Sequence, residues 1–330
     1  MANRLKNALW LIVGAVVAVW ALTSLVGLVR AGDMDPPGPP GGTMKTLIAV
    51  EPRTVIWQPD PEGFPIVISQ PGSYYLGENI TGEAGKDGIH IRADNVTLDL
   101  NGFTLKGVTG SYNGITVPYP SPGAVYNLSI FNGTIRDWGD DGICASTFPC
   151  GGADDSHYRD LRLLNNGQSG MNVASAVVTD CLAEGNDASG IYVDGTGTVT
   201  RSISRSNGFK GIQVMDGAIS NCLATSNGGV GIFAGGASLV VANKSSSNET
   251  GIYVADDGAR VEGNSLASNT VAGLNVAGSH NLIIKNSATG NGSNPATDDY
   301  QISGVNAYGQ IVNMTGSGAI TADPWANFRY

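Results

Sequence analysis

The sequence predicts an all-β chain wound as a parallel β-helix, and three observations carry that prediction. From Gly170 to Asn291 one short phrase recurs: Gly170-Met171-Asn172-Val173, Gly190-Ile191-Tyr192-Val193, Gly211-Ile212-Gln213-Val214, Gly231-Ile232-Phe233-Ala234, Gly251-Ile252-Tyr253-Val254 and Gly273-Leu274-Asn275-Val276. Its glycines lie 20, 21, 20, 20 and 22 residues apart. A second marker, an asparagine beside a turn, keeps the same beat at Asn186, Asn207, Asn227, Asn248, Asn269 and Asn291. Such a fixed period marks a solenoid, in which each repeat buries its apolar face against its neighbours. The third observation is the inside of a unit. Between Gly190 and Asn207, Ile191 and Val193 flank Tyr192, Val199 sits between two threonines, and Ile203 between two serines. These are three strand-length pieces with small polar residues at the corners, and no helical period runs through them.

Stacking gives the asparagines a reason. Equivalent residues of successive coils lie about 4.8 Å apart, so identical amides can hydrogen-bond into a ladder that satisfies polar groups in a dry interior. A companion row lies five residues before each marker, at Cys181, Ser202, Cys222, Asn243, Asn264 and Asn286. A third row, Asp87, Asn113, Asp141, Ser169 and Ser189, precedes the opening glycines and caps the local turns.

The elements follow in order. Residues 1–31 read as a signal peptide or a retained signal anchor. Arg4 and Lys6 precede an uncharged run from Ala8 to Val29, and Val29-Arg30-Ala31 offers small residues to a signal peptidase. That run, residues 8–29, is long enough to span a bilayer, and is the chain's one route to a membrane. Residues 32–44 are a Pro/Gly linker, and residues 45–71 an N-terminal cap over an otherwise open sheet edge. The β-helix proper covers 72–300, about ten coils of three short strands. Its early coils open at Gly88, Gly114 and Gly142, spaced 26 and 28, so their excess residues leave the coil as loops. Residues 301–330 form a last coil and an aromatic cap that ends in Asp323-Pro324-Trp325-Ala326-Asn327-Phe328.

Composition agrees. The 330 residues include 47 glycines and only 7% aromatics, which suits a narrow stacked core. The formal charge is −10; without Arg4, Lys6 and Arg30, 15 basic residues face 28 acidic ones. This excludes nucleic acid as a partner. Three scattered histidines give no zinc spacing. Cys144 and Cys150, six residues apart in an exported chain, are a disulfide candidate. Cys181 and Cys222 stand two coils apart, beyond disulfide reach.

Gln70-Pro71-Gly72-Ser73-Tyr74-Tyr75-Leu76, Ala93-Asp94-Asn95-Val96-Thr97-Leu98-Asp99-Leu100-Asn101-Gly102, and Asn132-Gly133-Thr134 followed by Trp138-Gly139 and Asp141-Gly142 resemble the exported bacterial right-handed parallel β-helix repeat proteins. The resemblance covers nearly the whole mature chain. It implies membership of the wider pectate-lyase-like superfamily, whose enzymes cleave or epimerise extracellular polysaccharides along one face of the helix. The expected location is therefore extracellular, periplasmic or cell-surface, and the expected partner an extracellular polysaccharide.

Two places could carry chemistry. The stretch from Arg136 to Arg162 holds Asp140, Asp154, Asp155, His157 and Arg159 as candidate catalytic residues: paired carboxylates can run hydrolysis, a basic group can take a sugar's C5 proton, and Ca²⁺ could hold an acidic sugar. Gly139-Asp140-Asp141-Gly142 resembles the Gly-Asp-Asp of polygalacturonases, whose remaining motifs are absent. The other place is the outward strip of the opening strands, His90, Thr116, Cys144, Asn172, Tyr192, Gln213, Phe233, Tyr253 and Asn275, where Tyr192, Phe233 and Tyr253 are candidate carbohydrate-binding residues. Two classes remain open: a polysaccharide lyase or glycoside hydrolase, and a non-catalytic, adhesin-like or structural surface protein. Oligomeric state is not readable.

Overall fold

In a computed structural model, residues 51–60, 63–119, 125–314 and 323–330 are described. The expected export segment and linker lie outside them. Among the described residues no helix is long and apolar enough to cross a membrane.

The described chain winds into three parallel sheets. The first collects the opening strands, where Val67, His90, Thr116, Cys144, Asn172, Tyr192, Gln213, Phe233, Tyr253, Asn275 and Gln301 pair in one unbroken column. The second sheet runs from Gly72–Leu76 through Val96–Asp99 and Ala176–Thr179 to Leu282–Ile284. The third runs from Ile80–Thr81 through Leu182–Glu184 to Ser287–Thr289. Leu128–Arg136 and Ser156–Leu164 pass from the second sheet into the third as single strands, bending at Asn132 and Asp160, both in the left-handed region. Isoleucines, valines and leucines from all three sheets fill the axis.

The amide ladder is continuous. Asn166, Asn186, Asn207, Asn227, Asn248, Asn269 and Asn291 each donate Nδ2 to the next coil's side-chain oxygen, at 2.7–3.2 Å, and the row ends on Asp299. Each oxygen also accepts the backbone N–H of the residue below it. Below Asn166 the position belongs to Trp138, whose N–H donates to Asn166 Oδ1 and whose indole lies fully buried. The companion row links Asn243, Asn264, Asn286 and Asn327. Cys181 and Cys222 are buried thiols in that row, pushed up to about 12 and about 11 by burial.

The opening glycines are required by close approach. A Cβ on Gly211 would lie 2.5 Å from the Gly231 carbonyl and 2.7 Å from Asn227 Nδ2.

Three details differ from the sequence expectation. In Ile203–Arg205 it is Ser204 that points inward and Ile203 that is exposed. Ser204 Oγ donates to the Gly211 carbonyl at 2.7 Å and accepts from Asn207 Nδ2 at 2.9 Å, so the ladder outbids one apolar side chain for the interior. In the N-terminal cap, Thr54–Ile56 and Ile66–Ile68 pair in register with Tyr74–Leu76 and Ile89–Ile91, so its described part is already a turn of the coil. At the other end the tail is a strand rather than an aromatic plug. Asn327–Arg329 inserts between Ser287–Thr289 and Ile311–Asn313, Asn327 and Ala326 are buried, and Trp325 and Tyr330 are exposed.

Candidate functional site

The surplus residues of the early coils leave at the corner between the first and second sheets. Val125–Tyr126 and Ala153–Asp154 pair there as a two-stranded ribbon. The second of these loops folds back over the first sheet, because Cys144 and Cys150 are joined as a disulfide with Cα atoms 6.0 Å apart. Thr116 Oγ1 reaches Cys150 Sγ at 3.5 Å, and Gly151 N–H donates to the Val117 carbonyl. Thr116 and Cys144 are therefore buried, which corrects the expectation that the whole opening-strand strip faces solvent. Phe148 stands almost fully exposed at the loop's tip.

Asp140 precedes the first-sheet strand Ile143–Ala145; Asp154, Asp155, His157 and Arg159 follow it, on the loop corner and the second sheet. The structure does not gather them into one constellation. Asp155 and His157 border a depression of about 270 Å³ with Ser175, Val177 and Thr196. The Arg159 guanidinium lies 3.9 Å from the Phe131 ring centroid and pairs with Asp160 at 2.9 Å.

Asp140 has different company. The turn row holds Asp87, Asn113, Asp141 and Ser169 along the edge of the first sheet. Asp87 Oδ1 accepts from Asn113 N and Nδ2 at 2.8 and 3.1 Å, Asn113 Oδ1 accepts from Asp141 N, and Asp141 Oδ1 accepts from Ser169 N at 2.7 Å. His90 Nε2 and Asp87 Oδ2 share a 2.7 Å hydrogen bond. Asn172 Nδ2 makes a long 3.5 Å contact to Asp141 Oδ2. Two buried atoms of this cluster, His90 Nδ1 and Asn172 Oδ1, have no hydrogen-bond partner.

The carboxyls are tuned apart. Burial works to raise Asp87, but hydrogen bonds from His90 and Asn113 outweigh it and hold the group below its ordinary value. Burial, then the charge of Asp87, raises Asp140. Burial pushes Asp141 up to about 6 against the hydrogen bonds from Ser169 and Asn172, with Asp140 adding to the rise. A low carboxylate beside raised carboxyls is the arrangement from which acid and base roles are drawn. Sequence reasoning had placed Asp87 and Asp141 among structural turn residues and His90 on the outward strip. The signal available was the Asp87–His90 spacing of three across the turn into one strand.

The aromatic column is in register as expected, but its rings face one another. Phe233 and Tyr253 stack with centroids 5.6 Å apart and planes at 21°. Lys210 Nζ covers the other side of Phe233 at 4.0 Å from its centroid. Tyr192 is parted from them by Gln213 and bonds Asp194 through its hydroxyl. What Phe233 offers outward is its edge.

Among the described residues, no group of three or more His, Cys, Asp or Glu side chains is placed to hold a metal ion.

The profile described as right handed beta helix region matches residues 66–245 and 173–321. The chain belongs to this family. Among solved structures, this right-handed β-helix is similar to the mannuronan C-5 epimerase AlgE6 A-module of Azotobacter vinelandii, at 20% identity and TM-score 0.51, over 67% of this chain and 68% of that one. It is also similar to the AlgE4 A-module of the same organism, at 16% identity and TM-score 0.45, over 72% of this chain and 87% of that one. The Dettilon tailspike protein aligns at 13% identity and TM-score 0.46, over 89% of this chain and 67% of that one. The first of these likenesses, with the family match, shows the fold. No curated protein matches the sequence.

Proposed function

We propose that this protein is an exported β-helix that acts on an extracellular polysaccharide, at the first-sheet edge formed by Asp87, His90, Asp140, Asp141 and Asn172. The observation that carries the reading is this cluster: three carboxyls of unequal acidity and a histidine, beside a loop pinned over the sheet by a disulfide. Asp87, held ionised, and His90 are suited to take a proton. Asp141, pushed up to about 6 and so neutral at mildly acidic pH, or Asp140, raised by burial and the Asp87 charge, is suited to give one to a departing glycosidic oxygen or a sugar carbanion. The similarity to structures titled as polysaccharide epimerases supports the choice of substrate class through the shared fold.

The test is activity of the exported chain on uronic-acid and neutral polysaccharides. Unsaturated-uronate absorbance, new reducing ends and epimer ratio would be followed with and without Ca²⁺. Activity lost in Asp140→Asn and in His90→Gln, and kept in His157→Gln, supports the reading. Activity lost only in His157→Gln moves the site to the second sheet. The Lys210–Phe233–Tyr253 stack favours a second reading, glycan binding without turnover, which binding in the absence of any product would select.

A further inference from the structure

Lys210 occupies a position that in earlier coils belongs to acids and small polar residues. It directly precedes Gly211, as Asp87, Asp141 and Ser189 precede their own glycines, so the turn row carries carboxyls in its early coils and an ammonium here. The side chain is half-buried. Its Nζ lies 4.0 Å from the Phe233 centroid and 5.2 Å from that of Phe209, and donates to Gln213 Oε1 at 3.0 Å. Gln213 is itself steadied by a contact from Nε2 to Met215 Sδ. The arginines of the second and third sheets lie against acids: Arg201 on Asp180, Arg205 on Glu184, Arg260 on Glu262. Around Lys210 burial lowers the ammonium's pKa, and among the described residues Lys210 forms no ion pair. Two ring faces and an amide oxygen hold the cation in place, and at least one ammonium proton is left for an acceptor from outside.

We propose that Lys210, framed by Phe209, Phe233 and Gln213, is a subsite for an anionic substituent of the bound glycan, a carboxylate or a sulfate ester. Three coils separate Lys210 from Asp141, roughly 14 Å at the strand spacing, which is the length of a trisaccharide lying along the sheet. The subsite rests on the polysaccharide reading above and adds two things to it. The glycan carries charge, and the charged unit lies away from the carboxyl cluster, where a second anion would be repelled. Binding a charge at one end also fixes which way the chain lies across Asp140.

The experiment measures binding of the exported chain to oligogalacturonate and its carboxyl-reduced form, and to sulfated and unsulfated galactan oligosaccharides. The variants are Lys210→Met, which keeps the aliphatic stem, and Lys210→Arg. The expected result is tighter binding of a charged member than of its neutral pair. Lys210→Met weakens the charged ligand about tenfold or more, leaves the neutral one unchanged and flattens the salt dependence, while Lys210→Arg restores binding. Preference for oligogalacturonate identifies a carboxylate, and preference for the sulfated galactan a sulfate. Unchanged binding of the charged ligand by Lys210→Met overturns the subsite. Equal loss of charged and neutral ligands also overturns it, since Lys210 would then act only by propping Phe233. Wild-type protein that binds charged and neutral members alike leaves the polysaccharide reading standing and removes the subsite. Wild-type protein that binds none of the four probes removes both.

Discussion

At the scale of single residues, the interior of this solenoid is governed by amides as much as by hydrocarbon. Asn227 shows the stakes. Its Oδ1 accepts from Asn207 N and Nδ2, and its own Nδ2 reaches Asn248 Oδ1 and the Ser204 carbonyl. Asn227→Ala strands two buried donors of the coil below and should cost about 4 kcal/mol, measured by denaturant unfolding. A loss below about 1 kcal/mol would mean that water replaces the ladder. Asp141 gives a prediction in pH. Its folded pKa, about 6, exceeds the ordinary 3.8, so the native state holds the extra proton and this group's contribution falls as pH rises from about 4 to about 6. The shift corresponds to up to about 3 kcal/mol. Asp141→Asn should abolish that fall, and its amide can donate to the partnerless Asn172 Oδ1. Asp87 has the opposite sign: its contribution is full above its ordinary pKa and is lost as pH falls through the lower folded value. Thermal melting from about pH 2 to about pH 7 separates the two, since the Asp87 loss lies below its ordinary 3.8. The ladders were legible because they repeat. The tuning of Asp141 was not, since the same turn position serves a neutral serine at Ser189 and a titrating acid here.

At the scale of elements, the residue before each companion-row position turns the chain in the left-handed region: Asp180, Arg201, Asn221, Ala242, Gly263 and Lys285. Aspartate, asparagine and glycine take that conformation readily, and alanine does not. Ala242→Gly should stabilise the protein by about 1 kcal/mol and keep the N–H bond to the Glu262 carbonyl. No gain in melting temperature would show the turn to be unstrained. Strand alternation predicts the first-sheet column residue by residue, yet does not say which members stay uncovered. Thr116 and Cys144 are hidden because a loop of the same coil returns over them, a tertiary event with no period. Likewise, nearness in sequence groups Asp140 with Asp154, Asp155, His157 and Arg159. A solenoid coil defeats that inference: within one coil the chain passes from sheet to sheet around the axis, while equivalent positions a full coil apart are neighbours.

At the scale of the whole molecule, stability is a sum over stacked coils, and residues 323–330 complete the last described coil. Deleting 323–330 removes the strand Asn327–Arg329 and the oxygen that caps Asn286 N and Nδ2. The bared edges of Ser287–Thr289 and Ile311–Asn313 should then pair between molecules. Gel filtration should show oligomers, while hydrogen exchange in the coils from Ile89 to Val193 keeps its protection. A monomeric truncate with an intact final coil would contradict this. The inserted strand also has a meaning in time. Synthesis delivers this polypeptide from its N-terminal side, so the place between Ser287–Thr289 and Ile311–Asn313 stays vacant until residues 327–329 have been made. Every nascent copy therefore passes through an interval in which those two strand edges are bare, and the strand that closes them belongs to the same chain.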